Sequence, residues 1–128
     1  MSLTMTTPDD LFDALSSRRR RAALALLDEH RDGVELRTIA DEIGAHEVRE
    51  DAPEGELKNA QQAVYVALYQ SHLPKLEEFD IVETEQQGTG QGGHFVRPGP
   101  QYDRALRTLR AAEGERDGTI TDRLRDLL

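Results

Sequence analysis

Lys58, Asn59, Gln61 and Gln62 crowd into little more than one turn of an apolar-periodic segment, and Gln70 with Ser71 follows about two turns later. An ammonium is a partner for phosphate, and side-chain amides carry the paired donor and acceptor that match adenine edges. A second donor-rich run, Arg18, Arg19 and Arg20, stands at a helix start, where cations oppose the helix dipole. Two readings of that run stand side by side: phosphate contact, or a solvated arginine face. Gln91 and Arg97, in and beside a glycine-rich stretch, complete the set of candidate nucleic-acid contacts.

Catalytic chemistry finds no such set. The four histidines, His30, His46, His72 and His94, are nowhere spaced i, i+4, and the absence of cysteine excludes disulfides, thiolate metal sites and a thiol nucleophile. Carboxylate pairs such as Asp9-Asp10, Asp41-Glu42 and Glu77-Glu78 are adjacent, so on a helix their side chains diverge. No phosphate-loop or nucleophile-elbow pattern occurs. The expectation is a protein without catalytic residues, metal or cofactor.

The elements that must position these residues fit within one domain's length, 128 residues. Acidic residues outnumber basic ones 25 to 16, for a net charge of −9, and the only lysines are Lys58 and Lys75. That composition is the surface style of proteins from salt-loving organisms, in which charge maintains solubility while salt screens self-repulsion. No signal peptide or span is evident, since Ala22 to Leu27 and Ala63 to Tyr69 fall short of the roughly 18 residues a membrane helix needs. A cytoplasmic protein with no membrane partner is expected.

Thr7-Pro8-Asp9-Asp10 reads as a capped helix start, and Ser16-Ser17 as a break that caps a second helix lasting until Asp32-Gly33. Leu36, Ile39, Ala40 and Ile43 mark a third helix closed by Gly44, and His46 to Gly55 reads as a loop. Lys58 to Phe79 then forms a long helix in which Pro74 predicts a kink unless the geometry there is locally relaxed. Ile81 to Glu85 and His94 to Arg97 are paired strands around a tip at Gln87 to Gly93. A last helix runs from Gln101 to Ala112. The expected fold is α+β and mostly α, with one domain over 9–112 and a polar tail over 113–128. Val64 and Leu68 on the long helix, with Tyr102, Leu106 and Leu109, offer more apolar surface than one small domain needs, so a homodimer interface is expected there.

The order of these segments resembles the ArsR-like winged helix-turn-helix regulators, and within them the haloarchaeal type. Ala14-Leu15-Ser16 with Arg20, Leu24, Leu26 and Leu27 matches the opening helices, and Leu36, Ile39, Ala40 and Ile43 the first helix of the motif. His72-Leu73, Leu76, Ile81 and Val82 match the end of the recognition helix and the first wing strand. The resemblance implies a two-stranded wing, a dimerising C-terminal helix, and double-stranded DNA as partner. In that register Ala67, Leu68, Gln70 and Ser71 fall where the family contacts bases, and only Gln70 and Ser71 can read them. Two functions follow: a DNA-binding transcriptional regulator, or a dimeric protein-interaction module on the same scaffold.

Overall fold

In the computed structural model, residues 6–86 and 93–114 are described. The chain is mostly helical α+β, with a small three-stranded antiparallel sheet. Helix α1 (Pro8–Ala14) starts as its sequence dictates: the Thr7 side chain accepts from the Asp10 amide while the Asp10 carboxylate accepts from the Thr7 amide. Ser17 caps α2 (Arg18–Asp28) in turn. Helix α3 (Leu36–His46) carries the expected apolar stripe, buried at Leu36, Ile39, Ala40 and Ile43.

The long helix begins at Glu54, four residues before the sequence placed it, after Pro53 has set the entry angle. It runs as α4 (Glu54–Ala67), a π-helical turn (Leu68–His72) and α5 (Leu73–Glu78). The π turn answers the Pro74 problem. The Leu73 amide reaches back to the Leu68 carbonyl, so one extra residue is taken up immediately before a proline that can donate nothing.

Strands β2 (Val82–Gln86) and β3 (His94–Pro98) pair antiparallel as expected, but the sheet is not two-stranded. Val34–Glu35 forms β1 and pairs with Val96 and Phe95, giving the order β1-β3-β2. Two residues cannot display the alternation that announces a strand. Gly33, at φ +115°, turns the chain into β1, and a Cβ there would stand 2.6 Å from the Phe95 ring. The tip between β2 and β3 lies outside the described residues, as do residues 115–128 of the polar tail.

Helix α6 (Tyr102–Gly114) returns across the opening helices. The Tyr102 hydroxyl donates to the Leu24 carbonyl, and Ala105, Leu106 and Leu109 join the same core as Leu24, Leu27, Val64 and Leu68. The five residues expected at a dimer interface, Val64, Leu68, Tyr102, Leu106 and Leu109, are therefore corrected to core positions. None is more than 4 % exposed, because α6 turns its apolar stripe inward and one chain already covers it. Among the described residues, the large hydrophobic side chains left exposed are Phe12, Val66 and Tyr69. Among the described residues no helix is long and apolar enough to cross a membrane.

Candidate nucleic-acid interface

Helices α3 and α4 pack backbone to backbone because Gly44 lets them. A Cβ at Gly44 would lie 2.6 Å from Gln61 Cα, a contact only glycine admits. Gln61 also donates from Nε2 to the Asp41 carbonyl at 3.1 Å. It is thus a packing residue facing α3, and its assignment as a base contact is corrected. The face of the long helix turned away from α3 carries Lys58, Asn59, Gln62, Ala63 and Val66 on α4 and Tyr69 and Gln70 in the π turn, all exposed. Asn59, Gln62 and Gln70, which the sequence singled out, are brought onto one solvent face. Ser71 is exposed too, in the π turn.

Arg37, on α3, was not singled out, and the structure makes it the organiser of that face. Its guanidinium lies 4.0 Å from the centre of the Tyr65 ring, donates to Gln62 Oε1 at 3.4 Å and stands 3.9 Å from the Asp41 carboxylate. Tyr65 stacks on Tyr69, with ring centres 6.4 Å apart and planes 8° from parallel, and Tyr69 meets the His94 ring at 5.0 Å. A ladder of side chains thus runs from α3 across the long helix to β3. It fixes where β3, the central strand, stands relative to the exposed face of the long helix. No sequence period could reveal it, since the contacts join three separate elements.

The other candidate cations, Arg18 excepted, are committed elsewhere. Arg20 is buried, and its guanidinium donates to the Ala14 carbonyl at 2.7 Å, to the Asp13 carbonyl at 2.9 Å and to Ser16 Oγ at 3.3 Å. Another of its nitrogens donates to His72 Nδ1 at 3.1 Å. Arg21 reaches the Leu15 carbonyl in the same way. Two members of the arginine stretch, Arg20 and Arg21, thus satisfy the orphan carbonyls ending α1. Arg20 is corrected from a phosphate contact to a structural clamp. Burial pushes its guanidinium below its ordinary value, and burial followed by the Arg20 and Arg19 charges pushes the His72 imidazole down.

Arg19 forms a two-pronged ion pair with Glu47, Arg97 pairs with Glu85 at 2.8 Å, and Lys58 lies 3.5 Å from Glu54. Arg18 is exposed and has no partner among the described residues. Gln91 lies outside them. No three His, Asp or Glu side chains among the described residues are placed to hold a metal ion. A hollow of about 170 Å³ between α2 and α3, floored by Leu26, Val34 and Ile39, has room for a single-ring molecule.

Residues 12–90 match the model of a family described as a domain of unknown function (DUF7344). No curated protein and no solved structure matches the chain.

Proposed function

The chain belongs to the DUF7344 family, and we propose that this member is a winged-helix protein that binds double-stranded DNA as a transcriptional regulator. In this reading α3 and α4 form the helix-turn-helix, α4 enters the major groove, and β2 and β3 form the wing, with β1 closing the sheet behind them. The observation that carries it is the exposed α4 face. Asn59, Gln62 and Gln70 stand there with amide groups facing solvent, on a helix held rigidly to α3 by the Gly44 contact and to the sheet by the aromatic ladder.

The electrostatics shape how such binding works. Most cations near this face are neutralised by carboxylates, so little of the affinity comes from displacing counterions. In molar salt, where the screening length is about 3 Å, the acidic flanks repel a duplex little and contacts to base edges dominate. A chain with this composition is suited to such a medium. Fluorescence anisotropy with the protein's own upstream DNA and with random duplex, across a potassium chloride series, tests the proposal. A preference for one duplex that persists with a shallow salt slope is expected. Equal, steeply salt-dependent binding to both duplexes contradicts it.

A second reading is favoured by Val66 and Tyr69, 39 % and 51 % exposed at the centre of the same face. Here the scaffold is a protein-interaction module, and a second copy covers α4. Light scattering that shows a dimer, which Tyr69→Asp dissociates, together with no duplex bound at any salt concentration, would decide for it.

A further inference from the structure

The long helix, from Glu54 to Glu78, contains no arginine, and this bears on which sequence a duplex at the α4 face would carry. The commonest side-chain reader of guanine is arginine, bonded to its O6 and N7. The one guanidinium shown beside the face, that of Arg37, is committed to the Tyr65 ring, Gln62 and Asp41. The groups left on the face are of another kind. Asn59 and Gln70 are exposed amides without a partner among the described residues, and Gln62 is an amide held in place by Arg37. Between them Val66 exposes an apolar side chain.

Building on the DNA reading, we infer that the α4 face selects A·T base pairs in the major groove, with Asn59 and Gln62 reading adenine and Val66 meeting thymine. Adenine presents its N6 amino group as donor and N7 as acceptor, which a side-chain amide matches with its oxygen and nitrogen respectively. Arg37 prepares Gln62 for this. Its bond fixes one lone pair of Gln62 Oε1. The second lone pair remains to accept from adenine N6, while Nε2 donates to N7. Val66 lies one helical turn beyond Gln62 on the same exposed side, and its methyl groups suit the thymine C5-methyl. A guanine at these positions offers O6 where the amide oxygen needs a donor, leaving two acceptors face to face.

The experiment alters the DNA atom by atom. After selection of the preferred duplex from a random pool in molar potassium chloride, adenines are replaced by 7-deazaadenine and thymines by deoxyuridine, and affinity is read by anisotropy. Loss of N7 at a contacted adenine should weaken binding by about fivefold to a hundredfold. Loss of the thymine methyl should weaken it by about two- to fourfold. Gln62→Ala and Asn59→Ala should each become insensitive to 7-deazaadenine at one position, and Val66→Ala insensitive to deoxyuridine. All three positions are exposed, so the variants are expected to fold, which circular dichroism is to check before affinity is read. A selected site rich in G·C, indifference of the unaltered protein to 7-deazaadenine, or variants that keep full sensitivity would overturn the inference while leaving DNA binding intact. Failure to bind any duplex would overturn both.

Discussion

Replacing Arg20 by alanine tests whether the arginine run is structural or functional. The side chain donates to two backbone carbonyls, one hydroxyl and one imidazole nitrogen, at distances between 2.7 and 3.3 Å. Hydrogen bonds from a charged group contribute about 1.5–3 kcal/mol each, and truncating one partner of a buried charged network costs about 3–5 kcal/mol. The groups left behind here are neutral, so the lower end applies, about 3 kcal/mol. That is a large part of the roughly 5–15 kcal/mol by which a domain is stable. Arg20→Lys keeps the charge but loses the planar fork, and is expected to cost about half as much. Arg18→Ala, at an exposed site, should stay within about 0.5 kcal/mol. Denaturant unfolding in molar potassium chloride measures all three. The reasoning fails if Arg20→Ala unfolds at the same denaturant concentration as Arg18→Ala, or if it weakens DNA binding while stability is unchanged.

The same network makes a pH prediction. His72 accepts from Arg20 as a neutral imidazole, with its pKa held below the ordinary value, so the unfolded chain takes up this proton first. Stability should fall as pH drops below about 6.5, until the folded imidazole has also titrated, and His72→Gln should show a smaller change in unfolding midpoint between pH 7.5 and pH 5.5. Gly44→Ala drives a methyl into the Gln61 backbone and should cost about 1–3 kcal/mol by the same unfolding assay, whereas Gly55→Ala meets nothing within 4 Å and should stabilise by up to about 1 kcal/mol. Lys58→Ala should weaken binding to all duplexes alike, while Gln62→Ala should cost about 1–3 kcal/mol on the preferred duplex and relax its selectivity, as competition anisotropy would show.

Local chemistry was legible in the residues themselves. Thr7, Pro8 and Asp10 specify a helix start whatever surrounds them, Ser17 caps the next, and the 3.6-residue period of Leu36, Ile39, Ala40 and Ile43 marks a buried face. The order of helices and the pairing of β2 with β3 follow from such signals, because each lies within a short stretch of chain. What a side chain does once elements meet was decided by the tertiary structure alone. Arg18, Arg19 and Arg20 look equivalent in sequence, yet one is exposed with no partner among the described residues, one pairs with Glu47, and one is buried against the end of α1 and His72. Gln61 and Gln62 are neighbours of one type, and the 100° between them on a helix sends one into the α3 contact and the other to solvent. The apolar stripe of α6 could have served a second copy or its own chain, since hydrophobicity has no direction. The return path through Gly99 to Tyr102 lays it on α2, and the core consumes it. Strand β1 and the ladder from Arg37 to His94 exist only as contacts between distant segments, and a linear chain carries no period that announces them.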